Sequence, residues 1–431
     1  MDYFQRRDGA LWAEDVPLAT VAASHGSPTY VYSRATIARH VAVFKDALGS
    51  LDHLLCYAVK ANANLALLQV LQGLGCGFDA VSGGELWRVQ KAGGRASDTI
   101  FSGVGKTDAE IAQALAAGVR YICVESAEEM WAVRDVAQQL GCRAPLAMRV
   151  NPDVDAKTHP YISTGLKENK FGVPIALAPE LLAAAHASPH LQVVGVSCHI
   201  GSQITTLAPF EDAAERVAGL ARHLLQAGIP LRHVGMGGGL GIPYDAETPP
   251  DPAAYGRALA RILAPLGLTV LLEPGRVIVG NAGVLLTRVV RTKQHHARRF
   301  AIVDAGMNDL MRPALYGAYH GLEAVEAAVH QRATQAPQDI VGPVCESADT
   351  FAKGRLLPHL QAGDLLAIRT AGAYGFAMAC NYNGRCRPAE VLVDGATAHL
   401  IRDREPVAAL WHGERDLHGR PFDASLPTTV R

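Results

Sequence analysis

From residue 53 to residue 276 the chain alternates short apolar runs, rich in β-branched residues, with amphipathic stretches at helical spacing. The runs are HLLCYAVK (53–60), GFDAVS (77–82), TIFSGV (99–104), YICVES (121–126), PLAMRVN (145–151), LQVVGVSCHI (191–200), LRHVGMG (231–237) and LTVLLEPG (268–275). Helix-like segments such as NLALLQVLQGLG, GELWRVQKAGG, DAEIAQALAAG, APELLAAAHAS and EDAAERVAGLARHLLQAG separate them. Strand alternating with helix implies a parallel sheet. Eight units in so short a span suit a closed (β/α)8 TIM-like barrel, typically ~250 residues, better than a doubly wound open sheet.

Beyond about residue 280 the rhythm changes to VLLTRVV, RFAIVDAG, DLLAIRT, AEVLVDG and ATAHLIR, strands without long helices between them. A mainly β C-terminal domain is expected there. The segment GSPTYVYSR (26–34) is also strand-like and precedes the first unit, so the N-terminal segment is expected to join that domain. The predicted division is a barrel over 36–280, with 1–35 and 281–431 together forming the β-rich domain. The stretch 321–338, GLEAVEAAVHQRATQAPQ, reads as solvent-facing.

Composition narrows the function. A chain of 431 residues with 49% hydrophobic content can bury a large core. Its net charge of −1, with no long run of one sign, gives no field for nucleic acid, which leaves small-molecule chemistry. No apolar stretch approaches the ~20 residues of a membrane helix and the N-terminus lacks a secretory pattern, so a cytoplasmic protein without a membrane partner is expected. The eight cysteines show no CxxC spacing and read mostly as reduced packing residues. The histidines form no HxH or HExxH pattern, so no metal is expected.

In such barrels the chemistry lies where the strands end. Unusual polar residues collect there: Lys60, Asp79 and Ser82, Arg149 and Asn151, His199 and Ser202, the glycines 237–239, and Glu273 with Arg276. Gly237, Gly238 and Gly239 lack Cβ atoms and can let backbone N–H groups converge on an anion. EPGR (273–276) adds a glycine turn and a guanidinium on the neighbouring strand, and loops near strands 7 and 8 often take phosphate in this fold. A phosphate cradle, a lysine able to form an imine and an acid at strand 8 together suggest pyridoxal 5′-phosphate. A carboxylate such as Glu273 can keep the pyridine nitrogen protonated, and His199 is suited to stack on the ring.

These blocks, with RVNPDVDAKTHPYISTGLKENKFG (149–172), DAGMNDLMRPALYGAYH (304–320), VGPVCESADTFA (341–352) and GAYGFAMACNYNGR (372–385), resemble the ornithine/diaminopimelate/arginine decarboxylase family, pyridoxal-phosphate enzymes of the alanine-racemase-like barrel type. The resemblance covers most of the chain. It implies that Lys60 forms the internal aldimine, His199 stacks on the ring and Glu273 meets the pyridine nitrogen. It implies further that Asp79, Arg149, Ser202, Gly238, Gly239, Gly275, Arg276 and Tyr374 surround the cofactor, and that Arg276, Arg312, Tyr316, Glu346 and Tyr374 bind substrate. Cys345 is the implied proton donor to a quinonoid, and the family's dimers draw Cys345 and Glu346 from the partner subunit, which implies a homodimer with a shared active site.

Within that family the resemblance points to meso-diaminopimelate as substrate, converted to L-lysine and carbon dioxide in the last step of lysine biosynthesis. Arg312 and Glu346 supply the cation and anion that a distal amino acid centre requires, with bidentate geometry that lysine does not offer. Decarboxylases of ornithine, arginine or carboxynorspermidine are the alternative, followed by a racemase or a silent binding protein on the same barrel. Cys345 lies in GPVCES beside a Gly-Pro turn, and a thiol carries its proton near neutral pH and can give it to a carbanion-like carbon. One departure stands out: Cys380 occupies the place before NYN where the family commonly has serine.

Overall fold

The computed structural model describes residues 2–49, 51–155, 170–296, 298–332 and 337–422. Most of the 156–172 loop within the family block therefore lies outside the described residues. The chain divides into two compact units, Ile37–Val279 and Met1–Thr36 with Gly280–Arg431.

The first unit is a closed parallel barrel. Its strands are His53–Ala58, Gly77–Ala80, Thr99–Phe101, Tyr121–Val124, Ala144–Asn151, Leu191–Ser197, His233–Gly235 and Thr269–Leu272. Each pairs in parallel with the next, and Thr269–Leu272 returns to His53–Ala58, with Val270 opposite His53. Cys56, Ile100, Tyr121, Cys123, Ala147, Val194 and Leu271, drawn from around the ring, form one buried cluster. Several strands hand over to their helices through a polar cap. Ser82 accepts from the Glu85 N–H, Ser126 from Glu129, and Thr107 forms a capping box with Glu110. Ser82 and Ser126 stand two residues past the strands that end at Ala80 and Val124, so the residues just before these two caps lie at the strand ends.

The second unit is built on a large mixed sheet. Its long strand Gly283–His295 pairs antiparallel with Thr29–Ser33, Leu365–Ile368 and Arg298–Val303. Thr29–Ser33, from GSPTYVYSR, also runs parallel to Ala389–Asp394, which continues to Thr397–Arg402. The N-terminal strand is thus central to this sheet. Three short strands, Phe4–Arg7, Ala10–Ala13 and Val16–Pro17, form a separate antiparallel sheet whose Phe4, Leu11, Ala13 and Val16 join the core of this unit.

Two expectations need correction. The stretch 321–338 does not simply face solvent: Leu322–Ala324 is a strand on Leu365–Ile368, and Val325 and Val329 are buried. Its alternation of apolar and polar residues is that of a covered strand followed by one helical turn, Ala327–His330. Of the cysteines, all free, only Cys56, Cys76, Cys123 and Cys198 are buried; Cys142 is exposed, as is Cys345, and Cys380 and Cys386 are intermediate. Among the described residues no helix is long and apolar enough to cross a membrane, and no group of three or more His, Cys, Asp or Glu residues could hold a metal ion.

Candidate functional site

The strand His53–Ala58 ends two residues before Lys60, which sits in a single 3-10 turn, Val59–Ala61. Val59 and Ala61 are fully buried and pin that turn. The lysine side chain between them is 41% exposed, with Nζ 3.2 Å from Oδ2 of a completely buried Asp79 on the next strand. Apolar neighbours hold the backbone while the amine stays accessible.

Asp79 faces Ala58 across the strand pair, and its other oxygen, Oδ1, is buried without a hydrogen-bond partner among the described residues. A buried acceptor in that condition calls for a donor that the protein does not itself provide. Glu273, one residue past the end of Thr269–Leu272, has its carboxyl pushed well above the usual range by burial first and by the Asp79 charge second. Lys60 and Arg149 act in the opposite direction. Two carboxyl groups in one low-dielectric site favour a proton or a cation between them.

Arg149, on Ala144–Asn151, donates from Nη1 to Glu125 Oε1 at 2.8 Å and lies 4.7 Å from the centre of the Phe171 ring. Glu125 Oε2 accepts from the Gly172 N–H at 2.8 Å. His199 follows the strand Leu191–Ser197, and its Nδ1 accepts from the Gly238 N–H at 3.1 Å. That bond requires a lone pair on Nδ1, and burial, with Arg149 and Lys60 adding to it, holds the imidazole pKa well below its ordinary value. The ring is neutral, with its proton on Nε2.

The glycine loop is shaped by close approach. Gly237 and Gly239 have φ of 63° and 105°, and a Cβ on Gly239 would lie 2.3 Å from the Gly201 carbonyl oxygen. A Cβ on Gly238 would lie 2.3 Å from the Glu273 carbonyl oxygen. Beside the loop, Arg276 donates from Nη2 to Ser202 Oγ at 3.0 Å and from Nη1 to the Tyr244 hydroxyl at 2.7 Å. A Cβ on Gly275 would press within 3.2 Å of both Ala58 and Ala61, next to the Lys60 turn. The Lys60 amine, the Asp79, Glu125 and Glu273 carboxyls, the neutral His199 imidazole, the Arg149 and Arg276 guanidiniums and the glycine loop all lie at the strand ends of one barrel. The orphaned Asp79 oxygen and the loop that admits no Cβ fit a flat, cationic, phosphorylated cofactor.

The remaining predicted residues belong to the β-rich unit. Arg312 and Tyr316 begin and end the short helix Arg312–Tyr316; Arg312 is buried and Tyr316 half-buried. Cys345 and Glu346 are exposed on a loop whose backbone is held firmly. The Cys345 N–H donates to Asn383 Oδ1 at 2.7 Å, and the Asp349 carboxylate accepts from Val344 and Met307 N–H groups, each at 2.7 Å. A Cβ on Gly342 would collide with that carboxylate at 2.3 Å. Tyr374 is half-buried with a φ of 55°, a backbone strained for a residue other than glycine.

Several supporting residues escape the sequence pattern. Glu125, next to last in the run YICVES, directly follows the strand Tyr121–Val124 and obeys the same strand-end rule as Lys60, so it was open to detection. Tyr244 lies a few residues beyond the glycine loop, and His320, Asp349 and Asn383 lie inside the motif blocks, but each acts through a folded contact that no local spacing records.

A family model described as the pyridoxal-binding domain of pyridoxal-dependent decarboxylases matches residues 34–280. The chain is 54% identical over 414 residues to the diaminopimelate decarboxylase of Pseudomonas aeruginosa, covering 96% of this chain and 99% of that protein. With the diaminopimelate decarboxylase of Vibrio cholerae it shares 51% identity over 413 residues, covering 95% and 98%. Among solved structures, diaminopimelate decarboxylase from Helicobacter pylori complexed with L-lysine superposes with a TM-score of 0.88 at 42% identity, covering 92% of this chain and 98% of that one.

Proposed function

We propose, for a chain that belongs to the pyridoxal-dependent decarboxylases and within them to the diaminopimelate decarboxylase family, the conversion of meso-2,6-diaminopimelate to L-lysine and carbon dioxide with pyridoxal 5′-phosphate. The observation that carries it is the joint placement of Lys60, Asp79, Glu273 and the Gly237–Gly239 loop at the strand ends of one barrel.

When bound, the cofactor supplies an electron sink for the pair released with carbon dioxide. Lys60 would hold it through its amine, with Asp79 orienting that amine. Glu273 would share a proton with the ring nitrogen, and its raised pKa lets the carboxyl keep that proton when no cation is near. His199, neutral and fixed by Gly238, would cover one face without adding a competing charge. Gly238, Gly239, Gly275, Ser202 and Arg276 would take the phosphate, with Arg149 and Tyr374 completing the enclosure. Arg312 and Glu346 would read the distal carboxylate and ammonium, supported by Tyr316, Tyr374 and Arg276. Cys345 Sγ would deliver the proton that replaces the carboxylate.

Cys345 and Glu346 are exposed on a braced loop, which suits residues offered to a second subunit. A cytoplasmic homodimer with two shared sites is the assembly that follows. The test is carbon dioxide release from meso-diaminopimelate, L-lysine, L-ornithine and L-arginine side by side. Release from diaminopimelate alone is expected; release from ornithine but not diaminopimelate would overturn the assignment.

A further inference from the structure

Arg312 is 6% exposed, and a guanidinium so far from water needs oriented acceptors around it. One is unusual. Its Nη1 lies 2.8 Å from Nε2 of His320, a fully buried imidazole. Gly317, left-handed at φ 60°, ends the short helix and turns the chain back, so that a residue eight positions later returns onto the arginine.

The tautomer of His320 follows from its other contact. Nδ1 lies 2.8 Å from the Arg369 carbonyl oxygen, which can only accept, so Nδ1 carries the proton and Nε2 presents a lone pair to Arg312. The backbone at this point is braced as well. Arg355 Nη1 donates to the His320 carbonyl at 3.2 Å, and the Arg369 N–H donates to the Gly321 carbonyl at 2.8 Å. The ring has one donor and one acceptor, both engaged with fixed partners.

We propose that His320 is a positioning residue for substrate specificity, one that orients the Arg312 guanidinium toward the distal carboxylate of the substrate. The inference rests on the reading that Arg312 takes that carboxylate. A carboxylate in the place of His320 would bind the guanidinium and cancel its charge, competing with the substrate. A neutral imidazole fixes the direction of one N–H and leaves the positive charge for the ligand. Lysine at position 312 could not use the arrangement, because an ammonium has no plane to orient.

The holoenzyme tests this with four variants: His320→Leu, His320→Asn, His320→Gln and Arg312→Leu. Each is read as kcat and KM for meso-diaminopimelate and as the inhibition constants of L-lysine and D-lysine. L-Lysine carries the amino acid end that Arg312 would hold; D-lysine presents a D-centre for reaction and only an ammonium at the far end. His320→Leu is expected to raise KM and weaken L-lysine inhibition roughly ten- to a hundredfold, the range for a hydrogen bond to a charged group, with kcat and D-lysine inhibition nearly unchanged. His320→Gln, which can return an acceptor near the Nε2 position, should recover most of the loss. His320→Asn, which keeps the donor to Arg369 but not that acceptor, should not. If His320→Leu fails to fold, the Asn and Gln pair decides. Equal KM values in those two, or equal losses for L-lysine and D-lysine, would overturn the role of His320. An Arg312→Leu variant with unchanged KM would instead remove the clamp reading beneath it.

Discussion

Lys60 is useful because its neighbours are buried and it is not. Apolar packing of Val59 and Ala61 fixes the turn, and the amine projects from it beside Asp79. Replacing Lys60 with alanine removes the amine while leaving those contacts in place. Decarboxylation should fall by at least about a thousandfold, and borohydride should no longer fix the cofactor covalently to the protein. A variant that is still labelled by borohydride would show that another amine holds it. Glu85 offers a test of a different kind. Its carboxyl accepts from the Val81 N–H at 2.8 Å, yet burial pushes its pKa up to about 7, with the Asp79 charge adding to the rise. The folded state therefore holds this proton more tightly than the unfolded chain does. The stability it contributes is full below about pH 4.5 and is lost as pH rises toward 7, at up to about 1.4 kcal/mol per pH unit. Depression of the His199 pKa works with the opposite sign, lowering stability as pH falls below about 6.5. The difference between wild type and Glu85→Gln isolates the first effect. Chemical denaturation at pH 5 and pH 8 should show the variant gaining on wild type at the higher pH, and a constant gap would refute the assignment.

At the scale of elements, the eight apolar runs all become barrel strands, three to eight residues long, because burial and period act locally. The strands Gln338–Val341 and Thr350–Arg355 were not legible in the same way. Gln338–Val341 takes its place in the sheet from Arg298–Val303, distant in the chain, and Thr350–Arg355 pairs back onto Gln338–Val341 and carries Lys353 and Gly354 where an apolar run would be expected. The same division holds for the site. Lys60, His199 and Glu273 stand out as polar residues at the ends of apolar runs, whereas His320 and Asn383 matter through partners 8 and 38 residues away. The glycine loop belongs to the legible part, and its geometry makes a strict demand. Gly239→Ala would place a Cβ 2.3 Å from a backbone oxygen at a φ of 105°. The loop must move, so the variant should lose cofactor on dialysis that wild type retains, as measured by its absorbance. Unchanged retention would show that the loop does not cradle the phosphate.

At the scale of the molecule, the proposed chemistry needs Lys60 and Cys345, which belong to different units of the chain. Cys345 and Glu346 are presented outward, with the Cys345 N–H anchored to Asn383 and the loop closed by Asp349. An exposed loop that is also rigid suits a surface that completes a partner's site, since little order remains to be gained on binding. Two-fold symmetry then gives each dimer two sites, each pairing Lys60 of one chain with Cys345 of the other. Lys60→Ala and Cys345→Ala dimers should each be nearly inactive. Subunit exchange between them creates heterodimers in which one site carries both lesions and the other carries neither. With random exchange half of the dimers are mixed, so activity should recover to roughly a quarter of wild type. Activity that stays at the level of the separate variants, under conditions where mass spectrometry shows exchanged dimers, would place both residues in a site built from a single chain.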